Sequence, residues 1–240
     1  MGNTICVIPA RLEASRFPEK LLALLGGKPL IQWAWEGAKN VSLFDQVVVA
    51  VDSKELLDCV ENFGGEAILT SKECASGTDR LVELQQSRQL EGDIWVNWQG
   101  DEPFITEAAI SSLLQSLSGG EIWTLKKKIT KEEEIASPHV VKVVCDERGR
   151  ALYFSRSCIP SDQKNIYKHI GLYAYTDSAL SKIAQLPPCA LEKQERLEQL
   201  RFLYNGMQIQ VHETDQEIFG IDTKEELAIA ERMCYNYMHL

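Results

Sequence analysis

Residues 46–69 read QVVVAVDSKELLDCVENFGGEAIL. Gln46–Val51 is a continuous β-branched run, and Ser53 stands as the N-cap of a helix over Lys54–Phe63. Gly64-Gly65 closes that helix, and Glu66–Leu69 supplies a second short strand. Continuous apolar strands alternating with helices imply a parallel sheet covered on both faces. The pattern extends in both directions. Upstream, Thr4–Ile8 is an apolar run ended by Pro9, and Leu30–Lys39 has helical character. Downstream, Thr78 or Asp79 caps a helix to about Gln89, Asp93–Trp98 forms a strand, and Thr106 opens a helix that Gly119-Gly120 ends. The expected class is α/β, with a three-layer, Rossmann-like sheet.

Such sheets bind ligands beyond the carboxyl ends of their strands. Three loops in that position carry charged or Gly-rich sequence: Pro9–Lys20, Thr70–Arg80 and Gln99–Pro103. They are expected to converge on one crevice.

The second half differs in texture. Val140–Cys145, Ala151–Phe154 and His169–Tyr175 read as strands, with Asp146–Arg150 as a hairpin turn between the first two. Leu191–Tyr204 reads as one helix with Leu197, Leu200, Leu203 and Tyr204 as its apolar stripe. Glu195, Glu198, Gln199 and Phe202 share a second face of it. Met207–His212 is a strand, Asp215–Asp222 a loop and Thr223–Tyr237 the last helix, while Lys126–Lys128 and Lys131–Glu134 read as solvated surface. Residues 1–124 and 207–240 are therefore expected to form the α/β domain, and residues 125–206 a smaller α+β lobe.

Composition narrows the function. The chain has 240 residues, 45% of them hydrophobic, enough for a sizeable core. A net charge of −10 and a pI of about 5.0 argue against nucleic acid as a partner. No run approaches the roughly 20 apolar residues of a membrane span. The opening MGNTICVIPAR reads as a first strand, not as a secretion or myristoylation signal. Seven scattered cysteines without a C-x-x-C speak against a zinc ribbon or a disulfide framework. Cys6 and Cys145 read as buried small hydrophobes. The expected location is the cytoplasm.

The chemistry lies in the loops. Pro9-Ala10-Arg11-Leu12-Glu13-Ala14-Ser15-Arg16-Phe17-Pro18-Glu19-Lys20 places Arg11, Arg16 and Lys20 together in an acidic protein. Clustered cations repel one another unless an anion compensates them, and a triphosphate suits them; a solvated basic loop is the alternative. The segment is neither a Walker A loop nor G-x-G-x-x-G. In Gln99-Gly100-Asp101-Glu102-Pro103, Asp101 at a strand's end could ligate Mg²⁺, or the run could be a plain Asp turn with Gly100 at positive φ. Ser76-Gly77-Thr78-Asp79-Arg80 offers main-chain N–H groups and an arginine at a helix start, and also reads as simple capping.

Taken in order, these segments resemble the 3-deoxy-manno-octulosonate cytidylyltransferases. P-A-R-x-x-x-S-R-x-P-x-K-x-L, Q-G-D-E-P and S-G-T-D-R carry the likeness, and Gly27-Lys28-Pro29-Leu30 follows as expected. It continues through Ala151-Leu152-Tyr153-Phe154-Ser155-Arg156, His169-Ile170-Gly171-Leu172-Tyr173-Ala174-Tyr175, Leu197-Glu198-Gln199-Leu200-Arg201 and Gly220-Ile221-Asp222-Thr223. The resemblance implies a nucleotide-diphospho-sugar transferase type of sheet that binds CTP, with Mg²⁺ as cofactor. It also implies a lobe that binds an eight-carbon sugar acid and forms a homodimer.

By the resemblance, Arg11, Lys20 and Asp101 are catalytic, and Asp101 and Asp222 hold metal. Pro9, Ala10, Arg11, Arg16, Lys20, Ser76, Gly77, Thr78 and Arg80 bind the nucleotide. Gln99, Arg156, His169, Tyr173, Glu198 and Gln199 bind the sugar acid. The chain departs from the family pattern at three places. Glu19 stands where many members have glycine, Ser161–Asn165 lacks an aromatic residue and an arginine, and Lys224 replaces a proline. The altered loop leaves open the 8-amino analogue of the sugar. Sialic acid is a rival substrate, opposed by the Q-G-D-E-P and L-E-Q-L-R runs. A glycosyltransferase would show D-x-D, which this chain lacks, and a non-catalytic nucleotide-binding protein would bind CTP without turnover.

Overall fold

A computed structural model describes residues 2–13, 16–162 and 164–238. Contacts divide the chain into two units, residues 1–107 with 217–240, and residues 108–216.

The first unit contains β1 (Thr4–Ala10), a small hairpin of β2 (Leu24–Leu25) and β3 (Lys28–Pro29), and α1 (Leu30–Lys39). It continues through β4 (Gln46–Val51), α2 (Lys54–Asn62), β5 (Ala67–Leu69), α3 (Gly77–Gln86) and β6 (Ile94–Asn97), and ends with the C-terminal helix Lys224–Met238. Its strands run in the order β6-β1-β4-β5, every neighbouring pair parallel. Ile5, Cys6, Val7 and Ile8 of β1 are fully buried, each apolar side chain contributing about 1.5–3 kcal/mol.

Chirality sets the layers. The steps β1–α1–β4 and β4–α2–β5 move one way across the sheet, so right-handed crossovers put α1 and α2 on the same face. The step β5–α3–β6 returns past β1, which puts α3 on the opposite face. The strand order therefore reverses between β1 and β6, and a crevice opens beyond Ala10 and Asn97.

Caps terminate these helices much as the sequence suggests, with one correction. Ser53 Oγ accepts from Leu56 N–H at 3.2 Å. The cap of α3, however, is Ser76, not Thr78 or Asp79. Ser76 Oγ accepts from Asp79 N–H, and the Asp79 carboxylate accepts in return from Ser76 N–H, both at 3.1 Å. Asp79 is the distal half of this capping box, which gives it the look of a cap.

The second unit comprises α4 (Glu107–Leu114, all but its first residue), β7 (Ile122–Lys128), α5 (Glu132–Ala136), β8 (Lys142–Cys145), β9 (Ala151–Ser155) and β10 (Tyr167–Thr176). It is completed by α6 (Asp177–Ile183), α7 (Ala190–Glu195), α8 (Gln199–Tyr204) and β11 (Ile209–Glu213). β7 lies between antiparallel β10 and parallel β11, and β8 and β9 form a hairpin beside β10. In the hairpin turn, Asp146 Oδ1 accepts from the N–H groups of Arg148 and Arg150.

Several sequence expectations give way here. Lys126–Lys128 end strand β7; Lys128 is exposed, as expected, but Lys126 and Lys127 are only half-exposed and engaged. The Lys126 ammonium lies 4.3 Å from the centre of the Tyr167 ring, and Lys127 Nζ donates to Asp215 O at 2.7 Å. Because β7 pairs with both β10 and β11, residues 108–124 and 207–216 belong to the second unit, a boundary different from the one the sequence suggests. Cys6 is fully buried, but Cys145 only partly.

The helix expected over Leu191–Tyr204 is broken. Arg196 adopts the left-handed conformation (φ 54°), and Leu197 N–H closes the turn on Glu192 O. The break buries Leu197, Leu200 and Phe202, while Tyr204, expected in the apolar stripe, is 64% exposed. Arg156 braces the break by donating from Nε to Glu195 O at 2.8 Å and from Nη2 to Arg196 O at 3.4 Å.

Candidate active site

One cavity of the first unit occupies the crevice at the strand-order reversal. Pro9, Ala10, Arg11, Lys20 and Leu21 line it from the loop after β1. Within that loop Glu19 is left-handed (φ 54°), a conformation that favours glycine and turns the chain into a 3₁₀ helix at Lys20–Leu22. The turn carries Lys20 inward and leaves Glu19 exposed.

The loop after β6 supplies Gln99, Gly100 and Asp101. Gly100 is not at positive φ, contrary to the plain-turn expectation. A Cβ there would lie 3.1 Å from both Pro9 O and Ile31 Cδ1, so close approach to β1 is what calls for glycine. Asp222 enters from the segment before the C-terminal helix, tied in place by Ile221 N–H donating to Asp101 O at 2.9 Å.

Charge converges at this point. Lys20 Nζ donates to Asp101 Oδ2 at 2.5 Å and to Asp222 Oδ1 at 2.6 Å. Arg16 Nη2 donates to Asp222 Oδ2 at 2.6 Å from a more exposed position outside the cavity lining. Burial works against the Lys20 ammonium, but Asp101 and then Asp222 outweigh it and raise its pKa. Burial likewise opposes the Asp222 carboxylate, and Lys20 and Arg16 prevail to lower its pKa. Glu102 is pushed up to about 8, first by burial and then by Asp101 and Asp222, and its Oε2 is buried without a hydrogen-bond partner.

Two carboxylates from distant segments already meet around one internal cation, and a third, orphaned carboxyl oxygen lies nearby. That donor set fits a hard cation. Among the described residues no three His, Cys, Asp or Glu groups converge closely enough to hold a metal alone. One or two carboxylates completed by phosphate oxygens is the arrangement Mg²⁺ favours.

The third wall is Cys74, Ala75, Ser76, Gly77 and Arg80. Thr78 is buried in α3, 1% exposed, and does not line the cavity. Cys74 Sγ donates to Glu83 Oε2 at 3.1 Å, and burial with that carboxylate pushes the thiol up to about 12. Leu21, Cys74, Ala75 and Gly100 are lining residues that the sequence reading does not name as site residues, although each adjoins or lies within one of the three loops.

In the second unit, His169 and Tyr173 lie on β10, their rings 5.4 Å apart across an irregularity in the β10–β7 register. His169 Nε2 and Thr124 Oγ1 are 3.0 Å apart, and burial drives the His169 pKa down to about 3, so the imidazole is neutral. The Tyr173 hydroxyl is buried and unsatisfied. Glu198 and Gln199 open α8, where Glu198 accepts from Arg201 and Gln199 is buried. Arg156 spends Nε, Nη1 and Nη2 on the carbonyls of Glu195, Pro138 and Arg196. Gln99 belongs to the first unit and donates to Asn97 Oδ1 at 3.2 Å. Of the departures, Lys224 takes the first position of the C-terminal helix, where proline is favoured but not required. Lys164 is exposed, and Gln163 lies outside the described residues.

Residues 5–209 match the cytidylyltransferase family model. The chain is 46% identical to the 3-deoxy-manno-octulosonate cytidylyltransferase of Thermodesulfovibrio yellowstonii, over 98% of this chain and 99% of that protein. It is 42% identical to the protein of the same name from Acidobacterium capsulatum, over 96% of each. Among solved structures, CMP:2-keto-3-deoxy-manno-octonic acid synthetase complexed with CTP superposes with a TM-score of 0.92 at 39% identity, covering 98% of this chain and 99% of that one. The 4-diphosphocytidyl-2C-methyl-D-erythritol synthase of Anaerococcus prevotii shares the fold, with a TM-score of 0.65 at 13% identity over 97% of this chain and 98% of that one. With the family model spanning most of its length and relatives this similar over nearly all of it, the chain belongs to the 3-deoxy-manno-octulosonate cytidylyltransferase family.

Proposed function

We propose that this chain transfers the cytidylyl group of CTP to 3-deoxy-manno-octulosonate, giving CMP-octulosonate and pyrophosphate for lipopolysaccharide biosynthesis. The anomeric hydroxyl attacks the α-phosphate and gives its proton to water, an oxygen–phosphorus bond forms, the bond to the oxygen bridging to the β-phosphate breaks, and pyrophosphate leaves. No enzyme nucleophile is required, so positioning and charge neutralisation carry the reaction. The observation that carries this reading is the meeting of Lys20, Asp101 and Asp222 at the sheet's switch point.

Arg11, Arg16 and Lys20 neutralise the triphosphate and the departing pyrophosphate. Pro9, Ala10, Ser76, Gly77 and Arg80 enclose the nucleoside, with Thr78 packed beneath them. Asp101 and Asp222 would hold Mg²⁺, which when bound polarises the phosphate oxygens and offsets their charge.

In the second unit, His169, Tyr173, Glu198 and Gln199 receive the sugar acid, and in the first unit Gln99 lines the nucleotide cavity. The buried, unsatisfied Tyr173 hydroxyl supports this, since it calls for a polar partner. Arg156, engaged with three carbonyls, serves by holding the turn that presents Glu198 and Gln199. A cytoplasmic location suits the CTP substrate and agrees with seven free thiols. A homodimer through the second unit is supported by Leu152 on edge strand β9 and Tyr204 on α8, elements that pack together and leave both side chains more than 60% exposed.

Asp101→Asn tests the central role. Turnover with CTP and Mg²⁺ should fall by roughly 10²-fold or more with the circular dichroism spectrum unchanged. Full activity in that variant would remove Asp101 from the mechanism.

A further inference from the structure

We infer that Asp52 is a positioning residue that sets the nucleotide cavity by fastening two of its walls to the sheet. Asp52 follows β4 directly, at the carboxyl end of a parallel strand, and no motif in the sequence marks it. Its Oδ1 accepts from Leu12 N–H at 2.9 Å. Leu12 adjoins Arg11, so this bond fixes the start of the loop after β1. Its Oδ2 accepts from Arg80 Nη2 at 3.0 Å. Arg80 Nη1 donates in turn to Thr70 Oγ1 at 2.6 Å and to Ser71 O at 3.0 Å, and Thr70 Oγ1 donates to Val51 O.

The result is a chain of bonds from the end of β4, through one carboxylate, to the Arg11 loop on one side and to α3 on the other. Both groups of the ion pair are nearly buried, with side-chain exposures of 3% for Arg80 and 11% for Asp52. At that burial a hydrogen-bonded charge pair fixes geometry strongly, because neither partner has water as an alternative. The Arg80 guanidinium is thus neutralised and held in one orientation before any ligand arrives. It acts as a rigid wall with its charge already met, and Asp52 controls both that wall and the main chain beside Arg11. Asp52 does not line the cavity, so its effect on a nucleotide passes through Leu12 and Arg80.

This inference rests on reading the cavity as the CTP site, and binding to the unaltered protein is therefore measured first. Calorimetry with CTP and Mg²⁺ that detects no binding to the wild type removes the CTP reading, and this inference with it. Given wild-type binding, Asp52→Asn should raise the Kd and KM for CTP by roughly tenfold or more, with kcat at saturating CTP changed far less. Because Asp52 acts through Arg80, Asp52→Asn combined with Arg80→Gln should weaken binding by less than the product of the two single effects. Thr70→Val, which removes only one acceptor of Arg80, should shift KM in the same direction by a smaller factor, and it serves if Asp52→Asn fails to fold. A lowered melting temperature with KM unchanged in Asp52→Asn, or in Thr70→Val should that replace it, indicates a merely structural role and overturns the inference. Full multiplicativity with Arg80→Gln overturns it as well.

Discussion

The Lys20 ammonium bridges Asp101 and Asp222, at 2.5 and 2.6 Å, so the two carboxylates share an internal cation before any nucleotide binds. A divalent ion entering between them must displace Lys20, and the phosphates of CTP offer that lysine its next partner. Lys20→Met should therefore bind Mn²⁺ in the absence of nucleotide more tightly than the wild type, as read by electron paramagnetic resonance. The same variant should lose turnover by roughly 10²-fold or more, since the leaving group loses a cation. Weaker metal binding in the variant would contradict the exchange.

Glu19 pays a conformational cost for its place beside Lys20. A left-handed non-glycine residue costs about 1–2 kcal/mol, and glycine's greater freedom in the unfolded chain returns part of that gain. Glu19→Gly should raise the urea midpoint by an amount equivalent to about 0.5–1 kcal/mol. A lowered midpoint would mean that the Glu19 side chain contributes more than its backbone costs.

His169 links stability to pH. Burial lowers its pKa to about 3, whereas a histidine in the unfolded chain titrates near 6.5. Between those values the unfolded state binds a proton that the folded state refuses. Stability therefore rises with pH across this window and is lost as pH falls from about 6.5 towards 3. In His169→Gln, the drop in urea midpoint between about pH 7 and about pH 5 should be smaller than in the wild type. An identical drop in both proteins would assign the dependence to other groups.

Much of this was legible from residues alone. The β-branched run Gln46–Val51 and its capped helix were enough for a parallel sheet, because local pattern and burial agree there. The loops after β1, β5 and β6 follow strand ends, where such sheets bind ligands, and they line one cavity. The misses share a cause, which is tertiary contact overriding local preference. Arg196 is a good helix former, yet it breaks the helix where Arg156 can satisfy the freed carbonyls. Lys126 and Lys127 look solvated, yet at the end of their strand they find a tyrosine ring and a carbonyl. Gly100 suits a turn, but it is needed because β1 passes within 3.1 Å of where its Cβ would be. Asp52 carries no local signal, because its partners lie 40 and 28 residues away along the chain.

Pyrophosphate release from CTP with Mg²⁺ tests the whole account most directly, with 3-deoxy-manno-octulosonate, its 8-amino analogue and sialic acid compared as acceptors. The account predicts release with 3-deoxy-manno-octulosonate, accompanied by CMP-octulosonate in equal amount. Release with sialic acid alone, or none with any acceptor, would contradict it.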